Sequence, residues 1–152
     1  MKSERRLIVY ERSGRWAVSL RRAAALISHR GWELCETRSL PECMDAVRSS
    51  PDALVAMELS RRGAGEALSA IIAIGDHYPM ARVAVLADRS MARHQWLARE
   101  LGAVAVAVSN RDLRPIVQIA QRHFNRLPEP PQSFRQRVMS ELPWSSVVDT
   151  IR

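Results

Sequence analysis

The stretch Ala103-Val104-Ala105-Val106-Ala107-Val108-Ser109-Asn110-Arg111-Asp112-Leu113-Arg114-Pro115-Ile116-Val117 decides how this chain folds, because it sets an unbroken apolar run directly before a pattern of helical period. Six apolar residues in succession, with no polar alternation, read as a strand covered on both faces. The helix that follows carries Leu113, Ile116, Val117, Ala120, Phe124 and Leu127 as one apolar stripe.

Working outward, three similar runs precede it: Leu7-Ile8-Val9-Tyr10, Ala53-Leu54-Val55-Ala56-Met57 and Val83-Ala84-Val85-Leu86-Ala87. A weaker strand fits Glu33–Arg38, after Gly31-Trp32. Helical patterns separate them. Trp16, Leu20, Ala23 and Ile27 form a first apolar face, with Gly31 as its expected terminator. Ser39 followed three places on by Glu42 predicts a capping box, with Pro41 in the first turn and Met44 and Val47 on one face. Leu68, Ile71 and Ile72 predict a third helix, and Ser90 is the expected cap of a fourth bearing Leu97 and Leu101. Strand and helix thus alternate five times, and right-handed crossovers fold such an order into an α/β doubly wound five-stranded parallel sheet. In such sheets the working crevice lies beyond the carboxyl ends of the strands, here at Glu11, Arg12, Glu58, Ala87, Asp88, Ser109 and Asn110.

The 152 residues, 47% hydrophobic and 26% charged, suit a single core. The expected organisation is a domain over 1–127, a proline-rich connector over 128–132, and a tail over 133–152 with a short amphipathic helix. In that helix Phe134, Val138 and Leu142 recur at steps of four before Pro143-Trp144. A helix of about ten residues is too short to stand alone in water, so it is expected to dock, on its own domain or on a partner. No apolar run approaches the roughly 20 residues that cross a bilayer, and nothing resembles a signal peptide. A cytoplasmic protein with no membrane association is the expectation. The net charge is +7, and every basic residue except Lys2 is an arginine. Such a balance attracts polyanions, yet the arginines are scattered, as a coding bias would scatter them.

Pro51-Asp52 leading into Ala53–Glu58, the segment Arg82–Ala87, and Gly102-Ala103 leading through Val108-Ser109-Asn110 into a helix at Asp112-Leu113 are features that resemble the receiver domain of bacterial two-component response regulators. The resemblance covers about residues 5–127. It implies a flavodoxin-like (βα)5 fold with strand order 2-1-3-4-5. It also implies five functional elements at the strand ends. An acidic pair and an acceptor Asp hold Mg²⁺, a hard cation that takes oxygen ligands. The acceptor receives a phosphoryl group whose charge the metal offsets. A hydroxyl residue and a Lys then contact the phosphoryl oxygens, and a Pro commonly follows the Lys.

At those positions this chain has Glu11-Arg12 for the acidic pair and Glu58 for the acceptor, or Met57 if the alignment slips by one. Ala87 stands for the hydroxyl, Ser109 for the Lys and Asn110 for the Pro. All five elements depart from the pattern, so the resemblance implies a degenerate receiver, or pseudo-receiver, without a phosphoryl cycle, metal or cofactor. Glu58 as a permanent stand-in for a phosphorylated acceptor is disfavoured, since it brings one charge where a phosphoryl group brings nearly two; an ion pair with Arg12 or another crevice arginine is expected instead.

The remaining features carry less chemistry. His29, His77, His94 and His123 have no metal-ligand spacing. Gly63-Ala64-Gly65 lacks the rest of a phosphate-binding loop and reads as a flexible loop. Cys35 and Cys43 read as small core residues. Arg111, Arg114, Arg122 and Arg126 are expected along one flank of the fifth helix, the region that forms an output or dimer face in receivers. These arginines, with Phe134, Val138 and Trp144, are the candidate partner-binding residues. The leading expectation is a non-enzymatic module that binds signalling or regulatory proteins, with a homodimer through the fifth-helix face as a further expectation. The alternatives are a nucleic-acid-associated protein using the same arginines, and a working phosphoacceptor at Glu58.

Overall fold

A computed structural model describes residues 5–27 and 31–128. Five strands, β1 (Arg6–Tyr10), β2 (Glu33–Thr37), β3 (Leu54–Leu59), β4 (Arg82–Ala87) and β5 (Ala103–Ala107), alternate with five helices. The helices are α1 (Arg15–Ala25), α2 (Leu40–Ser49), α3 (Ala64–His77), α4 (Gln95–Glu100) and α5 (Arg114–Arg126). The sheet is parallel throughout, in the order β2-β1-β3-β4-β5.

The continuous apolar runs are explained by burial on both faces. In β1, Ile8 and Tyr10 face one core and Leu7 and Val9 the other; in β3, Val55 and Met57 oppose Leu54 and Ala56 in the same way. One core is closed by Cys43 and Val47 of α2, Ala67, Ile71 and Ile74 of α3 and Ala98 of α4. The other is closed by Trp16 and Leu20 of α1 and Ile116, Val117, Ala120 and Phe124 of α5. In that second core Trp32 and Phe124 rings sit 5.9 Å apart, and the Trp32 indole N–H donates to Gln121 Oε1 at 2.9 Å.

Several local expectations need correction. The first helix ends at Ala25, and Gly31 does not have the left-handed backbone of a helix terminator; Leu26 is the capping residue. Ile72 is 44% exposed, whereas Ile71 is 2% exposed, because the buried face of α3 runs through Ala67, Ala70, Ile71 and Ile74. Ser90 caps no helix: its hydroxyl donates to Asp88 Oδ1 at 2.5 Å, a short 3-10 turn (Ala92–His94) intervenes, and α4 starts at Gln95. Gly63 closes another 3-10 turn, and Ala64 and Gly65 already belong to α3, so that segment is helical. Arg111 precedes α5, so it stands apart from the flank that carries Arg114, Arg122 and Arg126.

The capping box forms in a shifted version. Ser39 Oγ accepts the Glu42 backbone N–H at 3.3 Å, and Glu42 reaches back to the Arg38 backbone N–H at 2.8 Å. On the edge strand, Val83 pairs with Ala103 and Ala84 with Ala105, leaving Val104 as the extra residue of a bulge and 41% exposed. A bulge of this kind twists an edge away from further strand pairing. The residues of the expected tail, including Phe134, Val138 and Trp144, lie outside the described residues, as does His29.

Two adjacent substitutions test the corrected face of α3. Ile71→Ala is expected to lower unfolding free energy by about 2–5 kcal/mol, as buried large-to-small changes do, and Ile72→Ala by less than about 1 kcal/mol. Urea denaturation of both variants gives the comparison.

Candidate functional site

The carboxyl ends of β1, β3, β4 and β5 place Glu11, Glu58, Ala87 and Ser109 at one end of the sheet. Glu11 follows β1 directly, and its side chain is fully buried. Its two carboxylate oxygens accept the backbone N–H groups of Trp16 at 2.9 Å and Ala17 at 2.6 Å. These are among the first amides of α1, which have no partner inside the helix. No residue adjoining the helix caps it through a side chain, since the N-cap position is Gly14. Glu11 therefore serves as a cap delivered from three residues upstream, and its negative charge sits at the positive end of the helix dipole.

Gly14 makes this reach workable. Its φ of 90° lies in the left-handed region, and a Cβ there would stand 2.9 Å from Arg38 Nη2. Arg38 approaches from the end of β2: its Nη1 lies 3.5 Å from Glu11 Oε1, and its Nη2 bonds Glu36 Oε2 at 2.6 Å. Arg21 of α1 pairs with the same Glu36. The charge of Glu11 is thus answered by two amides and a guanidinium, the condition under which a buried carboxylate is tolerable.

The strand register of β1 and β3 pairs Tyr10 with Met57, so Glu58 follows beside Glu11. Glu58 is half-buried, and its Oε2 accepts the Arg12 backbone N–H at 3.0 Å. The expected ion pair with the Arg12 guanidinium is replaced by this main-chain bond; the Arg12 Nη2 lies over Gly63 instead, 3.2 Å from where a Cβ would stand. Met57 is completely buried in the core. Ala87 is also fully buried, and Ser109 is exposed, its Oγ accepting the Arg111 backbone N–H at 3.2 Å.

A cavity of about 590 Å³ opens beside these residues. Its walls are the start of α1 (Arg15, Trp16), the loop after β4 (Asp88–Ser90) and the loop after β5 (Val108–Arg111). Asp88 is partly committed, since Oδ1 also accepts the Met91 backbone N–H at 3.2 Å. Arg114 is held away from the cavity by Asp112, through Nε–Oδ1 and Nη2–Oδ2 contacts of 2.9 Å. The Arg114 hydrogen bond holds the Asp112 carboxyl down at about 2. Among the described residues, no group of three His, Cys, Asp or Glu side chains could hold a metal ion, and no helix is long and apolar enough to cross a membrane. His123 Nε2 lies 2.7 Å from the Asp52 carbonyl oxygen, tying α5 to the entry of β3.

The capping role of Glu11 and the left-handed Gly14 were missed by sequence reading. The spacing of an acidic residue ahead of a glycine and an apolar helical face offered the only signal. Cys43, buried in α2, has its thiol pushed up to about 11, first by burial. Only about a thousandth would be thiolate at pH 8, so half-buried Cys35 is expected to react with iodoacetamide well before Cys43, as peptide mapping over time would show. Replacing Glu11 with Ala strands two amides of α1, and a loss of about 1.5–3 kcal/mol in unfolding free energy is expected. Guanidinium unfolding monitored by circular dichroism measures that loss.

Neither a family model nor a curated protein matches the chain. Solved structures do. A CheY-like protein, tadZ, from Pseudomonas aeruginosa PAO1 superposes with a TM-score of 0.62 at 14% identity, over 84% of this chain and 99% of that one. A putative pilus assembly-related protein from Burkholderia pseudomallei K96243 gives 0.56 at 13% identity, over 81% and 93%. The RcsB response regulator of Salmonella typhimurium gives 0.60 at 12% identity, over 97% and 83%. With its 2-1-3-4-5 parallel sheet and five flanking helices, the chain has the flavodoxin-like fold of a CheY-like receiver domain.

Proposed function

We propose that this receiver-like domain is a non-catalytic regulatory module that binds other proteins and has no phosphoryl cycle. The observation that carries the reading is the commitment of Glu11. A magnesium-binding carboxylate must present free oxygen lone pairs to the ion. Here each oxygen already accepts a backbone N–H of α1, and Arg38 brings a positive charge to 3.5 Å that repels a cation. Ala87 supports the same reading, because it offers no hydroxyl to a phosphorylated neighbour and is sealed in the core. Glu58 is a poorer nucleophile site than an aspartate that points at a metal, since its Oε2 is held by the Arg12 amide.

The proposed contact surface is the edge formed by β5 with α4 and α5. Trp96 on α4 is 64% exposed, Val104 stands out at the bulge, and Arg122 and Arg126 are exposed on α5. A large exposed aromatic and exposed arginines have the composition of a protein-binding hot spot. The description of one structural neighbour as pilus assembly-related supports a protein partner. The tail residues Phe134, Val138 and Trp144 are proposed to add to this surface, and a domain boundary near residue 128 is part of the same proposal. Cytoplasmic residence also belongs to it.

Incubation with Mg²⁺ and a small phosphoryl donor such as acetyl phosphate, followed by intact mass measurement, tests the loss of chemistry. The mass is expected to stay unchanged, and beryllofluoride with Mg²⁺ is expected to leave the amide spectrum unmoved. Gain of one phosphoryl group, or saturable beryllofluoride binding, contradicts the proposal.

A further inference from the structure

The cavity between α1 and the loops after β4 and β5 has a charge pattern that the fold does not consume. Arg15, Arg89 and Arg111 stand in its wall, and among the described residues none of the three guanidinium groups makes an ion pair. Three other arginines are matched, Arg38 with Glu11 and Glu36, Arg21 with Glu36 and Arg114 with Asp112, whereas the Arg12 guanidinium lies over Gly63. Asp88, the one acidic side chain of the wall among the described residues, spends one oxygen on Ser90 and Met91. A concave surface with three cations and one partly occupied carboxylate concentrates anions.

A second observation points the same way. Trp16 forms part of the wall and is 1% exposed, yet its indole N–H has no hydrogen-bond partner among the described residues. Buried donors are nearly always satisfied, and this one is left open on a residue that lines the cavity. Arg15 lies over the same ring, 5.4 Å from its centre. The backbone amides of the helix start are not the attraction, because Glu11 already takes those of Trp16 and Ala17. Side chains would hold the anion.

We infer that this cavity binds, without covalent chemistry, a small molecule bearing more than one phosphate charge, of nucleotide size. Guanidinium forks match phosphate oxygens in pairs, and Ser109 adds a hydroxyl to the lining. A volume of about 590 Å³ falls within the range of small-ligand sites and exceeds what a single phosphate fills. The inference goes beyond the protein-binding role and does not need Glu58 to be phosphorylated, so either can fail alone.

Calorimetric titration of the full chain with ADP, pyrophosphate and adenosine tests it, and the wild-type indole resonances are followed by NMR in parallel. ADP and pyrophosphate are expected to bind saturably and to shift the Trp16 indole N–H, while adenosine does neither. ADP is expected to bind more strongly than pyrophosphate; equal or stronger binding of pyrophosphate contradicts a ligand of nucleotide size. Arg89→Ala and Arg111→Ala, on exposed loops, are each expected to weaken ADP on the order of tenfold with unchanged circular dichroism. No binding of ADP or pyrophosphate at millimolar concentration overturns the inference. So does adenosine binding as well as ADP, an unmoved Trp16 indole, or undiminished affinity in the Arg89→Ala/Arg111→Ala double variant.

Discussion

A buried carboxylate at the end of the first strand organises this molecule. Glu11 would be costly if left uncompensated, since an ionised group removed from water must recover its hydration from the protein. It does so through the Trp16 and Ala17 amides and the Arg38 guanidinium. The turn between β1 and α1 follows from that requirement. The chain must double back within three residues so that the helix start meets the carboxylate, and Gly14 supplies the left-handed backbone that allows it.

Consequences spread from this point to the rest of the crevice. Once α1 is fixed, its Trp16 and Leu20 close one core against α5, and Trp16 becomes a wall of the cavity. Arg38, drawn toward Glu11 and Glu36, neutralises the side of the crevice nearest β2. On the far side, toward β4 and β5, Arg15, Arg89 and Arg111 are left without acidic partners among the described residues. The same crevice therefore has its charges paired around Glu11 and Glu36 and carries unmatched guanidinium groups toward β4 and β5. That asymmetry is what separates a proposed loss of metal chemistry at Glu11 from a proposed gain of anion binding near Ser109.

Much of the architecture was legible in the chain because parallel strands covered on both sides must be apolar throughout. Leu7–Tyr10 and Val83–Ala87 carry that signature, the Leu113-to-Phe124 stripe carries the helical one, handedness gives a doubly wound parallel sheet, and the 2-1-3-4-5 order came only with the resemblance to receivers. What escaped was set by tertiary distance. The sequence cannot tell that Glu11 turns toward α1 rather than toward a cation, because both uses ask for an acidic residue after β1. Nor does it tell that the Glu58 carboxylate meets the Arg12 main chain and not its guanidinium. Ile72 looked like a core residue because it is as apolar as Ile71, and only the packing of α3 on β3 and β4 decides which of the two turns inward. The bulge at Val104 is invisible in an alternating Ala-Val run, where slipping by one residue changes only size and not polarity.

The central claim is that Glu11 spends its carboxylate on the start of α1 and on Arg38 rather than on a cation. The backbone N–H resonances of Trp16 and Ala17, followed through a magnesium titration by two-dimensional NMR, report on that carboxylate directly. The account predicts that both resonances stay in place as magnesium rises to millimolar levels. A saturable shift of both, with the amides released from their carboxylate partner, would contradict it.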